Sequence, residues 1–490
     1  MSFSSLLFLL GLLPITVLAY WALPRRAGAQ NTVLLLASLL FFASWGPALV
    51  PVLLAAIGVN YGLLSALRAR NASGSPQRAG LVLALGLTYN LGQLLLFKYL
   101  GFFASTASAL ATLLGGSTSL PTLHWLVPVG LSFWTLQILA HLIDVAYGRR
   151  TPPAHWLDYA VFVSFFPQTL SGPISRGDLL DQLGAPRQPL AADFARGGFA
   201  FLLGYVMKFL VAGTLAGLAD PVFADGSSYN RSAHWLALFA YTSQVFCDFA
   251  GYSLMAQGLA ALFGLHLIDN FRFPFLARNI SEFWKRWHIS LTQLLFDYIY
   301  TPLVTGDGWM RGRLATGLFV VLLVSGLWHG ATWMFVIWGA LHGLALMLAH
   351  RWDGFYRGLC RQNRVWVQRR KSRAYVLTGW ALTQTWFLLS LIPFRSPTLD
   401  AALGFAKGLL VSSGGEALAI GGSIAGKLNG LVCLLFVVIY HLAGTASGQR
   451  GVAYWQGVPA WGRGVCYGLV IVYLFLFKPL SEGAFLYAQF

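Results

Sequence analysis

The 490-residue chain holds ten histidines, and two of them stand where an imidazole could do acid–base chemistry. The first is His329, in Ser325-Gly326-Leu327-Trp328-His329-Gly330-Ala331-Thr332, where two apolar stretches meet. An ionisable group in an apolar stretch is costly to keep and marks a functional candidate. Small residues on both sides let a substrate or another backbone come close. A neutral histidine bonded to a backbone carbonyl accounts for the same pattern. The second is His288, in Ser281-Glu282-Phe283-Trp284-Lys285-Arg286-Trp287-His288-Ile289-Ser290-Leu291. At helical spacing Trp284, Trp287, His288, Leu291, Leu295 and Tyr298 share one face, and Glu282, Arg286, Gln293 and Asp297 share the other. This predicts one amphipathic helix that lies in a membrane interface or lines a cavity. An aromatic interfacial anchor carrying a bystander histidine is the commoner source of such a pattern. Buried acids are scarce. Asp248, in Phe246-Cys247-Asp248-Phe249-Ala250-Gly251-Tyr252-Ser253, is a lone intramembrane acid that could pair with an arginine, orient a histidine or bind a cation, structural pairing being the commonest case. His124, His141, His155, His234, His266, His342, His350 and His441 read as structural or interfacial. There is no phosphate-binding glycine loop, no metal-ligand pair and no Gly-x-Ser-x-Gly elbow.

The elements that must position these residues are membrane helices. Hydrophobic residues make up 57% of the chain and charged residues 10%, against roughly 25% charged in soluble domains. Long, nearly uncharged runs at 33–67 (two spans with a turn at Gly46-Pro47), 81–97, 126–146, 199–218, 235–262, 314–348, 376–392, 428–442 and 465–477 predict an all-α polytopic protein, a single membrane-embedded domain over 1–490 with roughly ten to thirteen spans plus re-entrant or interfacial helices. The run at 6–23 has its basic pair, Arg25-Arg26, after it, so it reads as a first span and not as a signal peptide. The stretch 159–170 is short, ends in Gly172-Pro173 and reads as re-entrant or interfacial. The net charge of +17 sits in loops beside spans and marks the cytoplasmic side; it does not indicate nucleic acid. The densest basic cluster, 351–373, has seven Arg, one Lys and one Asp, and fits contact with anionic membrane lipid; an acidic carrier or a polyphosphate-bearing donor would also fit. Placing every basic loop inside requires that 99–114 does not fully cross, and makes 314–348 a hairpin or broken helix with His329 at its turn. The four cysteines show no paired spacing. On residues alone, a transferase and a transporter or channel both remain open.

The same segments resemble the membrane-bound O-acyltransferase superfamily, and within it the bacterial branch of alginate O-acetylases and teichoic-acid D-alanyl transferases. Glu282-Phe283-Trp284-Lys285-Arg286-Trp287-His288-Ile289-Ser290-Leu291 resembles that branch's most recognisable motif. Gly326-Leu327-Trp328-His329-Gly330 through Trp338-Gly339-Ala340-Leu341-His342-Gly343 resembles the segment holding the family's catalytic histidine. Pro128-Val129-Gly130-Leu131-Ser132-Phe133, Phe166-Pro167 with Ser171-Gly172-Pro173, Asp248 through Ser253, and the C-terminal Phe485-Leu486-Tyr487-Ala488-Gln489-Phe490 also match, so the likeness runs along essentially the whole chain. Three departures stand out: Phe296 where the family usually has Arg before Asp297-Tyr298, Val304-Thr305-Gly306-Asp307-Gly308 in place of a Gly-Gly-Asn-Arg-like turn, and Leu254 where an Asp often follows Gly-Tyr-Ser. They leave donor, acceptor and partner free to differ from the alginate case.

The resemblance implies acyl transfer from a cytoplasmic thioester donor, acetyl-CoA or another acyl thioester, with no bound cofactor or metal, to a hydroxyl beyond the membrane. His329 would be the general base, since a hydroxyl is a poor nucleophile and histidine titrates near the operating pH. His288 would polarise the acyl carbonyl, position the donor or hold His329. Trp284, Trp287 and Trp328, with Asp248, Asp297 and Tyr298, would shape a water-poor substrate tunnel. The implied setting is the bacterial inner membrane. The implied partners are an extracytoplasmic esterase-like acyltransferase and the polysaccharide synthase or secretion machinery. The implied product is an O-acetylated exopolysaccharide such as alginate or cellulose, with D-alanyl transfer from a carrier protein as the alternative.

Overall fold

The structure, a computed structural model, describes residues 1–71, 76–116, 127–411, 424–447, 449–450 and 457–477. His124 and the C-terminal motif at 485–490 lie outside these residues. Among the described residues every regular element is a helix. Among the described residues six helical stretches are long and apolar enough to cross a membrane: Pro47–Arg68, Ala79–Leu113, Ala191–Ala224, Arg231–Leu262, Trp333–Gln362 and Arg373–Arg395. Six shorter apolar helices accompany them, including Leu7–Ala22, Ala27–Ala43, Leu131–Ala146 and Leu314–His329. The run at 33–67 breaks at the expected turn, between helices Ala27–Ala43 and Val50–Asn71. The stretch 99–114 is no separate span. It continues one helical rod of 35 residues, Ala79–Leu113, which at about 1.5 Å per residue is far longer than a hydrocarbon core of roughly 30 Å. The stretch 159–170 forms helices Trp156–Ser164 and Phe166–Thr169, both too short to span and both largely buried in protein.

The chain folds as two compact units, residues 1–202 with 253–268, and residues 203–252 with 269–490. The first is held by buried polar bonds between helices and from the loop at Arg187, the usual glue where lipid removes the hydrophobic drive for helix association. Asn60 and Asn90 exchange side-chain hydrogen bonds at 3.1 and 2.7 Å. Asn31 donates to Asp158 Oδ1 at 2.7 Å, and Arg187 donates to Asn31 Oδ1 at 2.6 Å.

The second unit carries both candidate histidines. Its central feature is the hairpin of Leu314–His329 and Trp333–Gln362, turned through Gly330 and Thr332. Glycines let its two backbones touch. A Cβ on Gly326 would sit 2.3 Å from the Phe335 carbonyl oxygen, one on Gly339 would sit 2.6 Å from that of Leu322, and one on Gly343 would sit 2.8 Å from that of Phe319. Gly339 and Gly343 are thus a G-x-x-x-G seam, which explains the glycines of the His329 segment as packing residues. Helix Arg373–Arg395 lies along Trp333–Gln362, and beside it Leu238, Met334, Leu388, Ile392 and Phe405 form an apolar core.

The basic cluster 351–373 covers the end of Trp333–Gln362, the short helix Arg364–Lys371 and the start of Arg373–Arg395. Two of its guanidiniums lie on rings, Arg369 over Trp366 and Arg370 over Tyr356, and Arg370 also pairs with Asp353. Aromatics interleaved with arginines suit a membrane interface, and the basic excess predicts that it is the cytoplasmic one. In a background lacking the four native cysteines, a Gln368→Cys variant should react with a membrane-impermeant maleimide only after cells are permeabilised. Labelling in intact cells would reverse the orientation.

Candidate active site

The helix predicted around His288 is not continuous. Helix Ile280–Trp284 ends in a tight turn, and His288, at φ 44°, starts a new helix, Ile289–Leu295. The left-handed region is uncommon for a residue with a side chain, although His adopts it more readily than most. The stripe still holds in part: Trp284, Trp287, His288, Leu291 and Leu295 are buried, and Tyr298 is half-buried. On the other face Gln293 and Asp297 are exposed, and Glu282 pairs with Arg286 at 2.7 Å. Asp297 and Tyr298 lie on a π-helical turn, Phe296–Tyr300, and are less enclosed than the tryptophans.

The structure brings His288 and His329 together from different elements. Their ring centroids are 6.5 Å apart, and the two residues are 1% and 4% exposed. Trp328 lies against both, 5.9 Å from His288 and 5.0 Å from His329. Trp338 meets His329 edge-on at 5.0 Å, Phe394 packs on it at 5.7 Å, and Phe249 meets His288 edge-on at 4.6 Å. Trp284 stands one layer out, on Trp338 at 5.9 Å. Trp287 belongs to a neighbouring aromatic cluster with Phe271, Phe283 and Phe387, at 5.0, 5.6 and 4.9 Å. Two imidazoles in a water-poor aromatic enclosure can take and pass protons with little competition from solvent.

Sequence reasoning missed four features here. His342, read as structural or interfacial, proves to be fully buried next to the site: it packs on Trp338 at 4.7 Å and Trp284 at 5.1 Å, and has Nε2 2.9 Å from Ser390 Oγ. Phe249 and Phe394 come from other helices, and although Phe249 lies in the segment around Asp248, nothing in the sequence sets either ring against a histidine. Asn270 bonds the turn at His288. Lys208 pairs with Asp248 at 2.5 Å, with the residues 8% and 7% exposed. The expected arginine partner for Asp248 is therefore a lysine, and the signal was available as one charge inside an otherwise apolar span. A Cβ on Gly251 would lie 2.7 Å from the Gly204 carbonyl oxygen, so the glycine three residues after Asp248 lets its helix close on the helical stretch that carries Lys208.

Comparison with known proteins places this site in a family. Residues 83–392, which include both histidines, match the model of MBOAT, the membrane-bound O-acyltransferase family. The chain is 36% identical over 405 residues to a protein of Azotobacter vinelandii named "Probable alginate O-acetylase AlgI", covering 82% of this chain and 76% of the relative. It is 30% identical to the peptidoglycan O-acetyltransferase of Helicobacter pylori, covering 100% of this chain and 97% of that protein. It is 28% identical to the teichoic acid D-alanyltransferase of Bacillus subtilis over 47% of this chain. These likenesses remove the transporter or channel reading. Apolar helices, the family model and the acetyltransferase relatives agree: the chain belongs to the MBOAT family and is a multi-pass membrane O-acyltransferase.

Proposed function

We propose that this protein, in the bacterial inner membrane, takes an acetyl group from a thioester donor such as acetyl-CoA on the cytoplasmic side and delivers it for O-acetylation of a secreted exopolysaccharide, alginate or cellulose being examples of the class. The observation that carries this reading is the pairing of His288 and His329 in a buried aromatic enclosure, 6.5 Å apart. In the step we assign, His329 accepts the proton of the attacking hydroxyl as its oxygen bonds to the acyl carbon. The carbon–sulfur bond then breaks, and the proton passes to the departing thiolate. The hydroxyl belongs to the polymer or to an extracytoplasmic esterase-like partner that relays the acetyl group onward. The neighbouring tryptophans exclude water that would otherwise hydrolyse the acyl group.

A second acceptor has its own support. The peptidoglycan O-acetyltransferase is similar along the full length of both chains, whereas the D-alanyltransferase likeness covers under half of this one. The acceptor is tested by deleting the protein, restoring the wild type or His329→Ala, and measuring base-labile ester groups on isolated exopolysaccharide and on isolated peptidoglycan. Acetate lost from exopolysaccharide alone is the expected result. Acetate lost only from peptidoglycan would move the acceptor there, and lost ester-linked D-alanine would replace the acetyl assignment.

A further inference from the structure

The bonding around His288 fixes which of its two nitrogens can act. Asn270 Oδ1 lies 3.2 Å from the backbone amide of Ser290. A backbone amide can only donate, so the atom facing it is the amide oxygen of Asn270 and not its nitrogen. The Ser290 hydroxyl lies 2.9 Å from the same oxygen. His288 Nδ1 also lies 3.2 Å from it. An amide oxygen never donates, so Nδ1 carries the proton, and in the neutral ring Nε2 keeps its lone pair. Nε2 is buried and makes no hydrogen bond within the protein among the described residues.

The backbone enforces this arrangement. The Arg272 amide donates to the Arg286 carbonyl at 2.9 Å, and the Ile289 amide donates to the Asn270 carbonyl at 2.9 Å, so the segment before the turn is clasped to the turn itself. His288 is held in the left-handed region at φ 44° within that clasp. Backbone placed in a sparsely populated region and pinned from both sides is a feature of positioned functional groups.

We propose that Asn270 is a positioning residue that holds His288 in the Nδ1–H tautomer, so that Nε2 presents its lone pair to a polar hydrogen of the bound substrate. The assignment rests on the acyl-transfer reading for the identity of that substrate. It selects among the roles open to His288: a neutral ring whose free nitrogen is an acceptor cannot polarise the acyl carbonyl, which needs a donor. The carbonyl must then be polarised by another group, and His288 orients a hydroxyl, amide or thiol hydrogen of the reactants.

The test is the 15N spectrum of the full chain with ring-labelled histidine in lipid bilayers. The His288 signals are identified by their loss in His288→Gln, and Nδ1 by its correlation to Cγ. The expected spectrum has Nδ1 protonated and Nε2 bare. Nε2 protonated, either as the other tautomer or as the imidazolium, overturns the proposal. Asn270→Ala should let both tautomers appear and lower acyl transfer per folded molecule on the order of tenfold to a hundredfold, as loss of an orienting partner does. Asn270→Asp keeps an acceptor oxygen and should restore the Nδ1–H signal together with most of the rate. If Asn270→Ala does not fold, the wild-type spectrum still decides. If the wild type transfers no acyl group, the functional reading fails while the tautomer result stands separately.

Discussion

Replacing Lys208 by Met, or Asp248 by Leu, is expected to deplete the folded protein in the membrane severely, and making both changes together is expected to restore most of it. The two residues form an ion pair at 2.5 Å, almost wholly shielded from solvent. Each sits near the middle of a helical stretch long and apolar enough to span, Ala191–Ala224 for Lys208 and Arg231–Leu262 for Asp248. Removing one partner leaves an uncompensated charge at that depth, which costs about 3–5 kcal/mol in buried sites. Typical domain stability is only about 5–15 kcal/mol, so such a loss is a large part of the total. Replacing both by apolar residues removes the stranded charge and is often neutral or better. The readouts are membrane abundance and the thermal unfolding midpoint in detergent. Single variants as abundant and as stable as wild type would show that the pair does not hold the helices. A double variant that is abundant but inactive would give Asp248 the tunnel role that the sequence suggested for it.

How much of this was legible in the sequence depended on whether the governing interaction was local. The hairpin at His329 could be read, because two apolar stretches meeting at Trp328-His329-Gly330 leave a polar break that only a turn can accommodate. Its tight seam was present in the same residues, since Gly326, Gly339 and Gly343 are the positions where two backbones can approach. The burial of Trp284, Trp287 and His288 followed from helical periodicity. The periodicity also misled: the aromatic stripe runs unbroken across residues 284–291, whereas the chain turns at His288 because Asn270 and the 270–272 segment clasp it there. Nothing in the local pattern reports a bond made to a residue eighteen positions earlier. Likewise Asp248 was recognisable as a costly intramembrane charge, but its partner lies forty positions away. His342 shows the reverse case. Its motif lies in plain view, but only the packing puts its ring on Trp338 and Trp284, beside the enclosure of His329.

The central claim is that His329 is the base of the transfer step, and its most direct test is the rate of acyl transfer in inverted membrane vesicles supplied with a radiolabelled acetyl thioester. The imidazole stands at the end of Leu314–His329, buried, within 5.0 Å of the ring centroids of Trp328 and Trp338 and 6.5 Å from that of His288. Loss of a general base typically lowers a rate about a hundredfold to ten-thousandfold. His329→Gln keeps polarity and approximate size but takes up no proton near neutral pH, so it should fall with His329→Ala to about that extent while the protein accumulates normally. His342→Ala removes a packed ring and should lower the unfolding midpoint more than the rate per folded molecule. Transfer by His329→Gln within a few-fold of wild type, at equal membrane abundance, would contradict the account and leave His288 as the residue to which the proton must go.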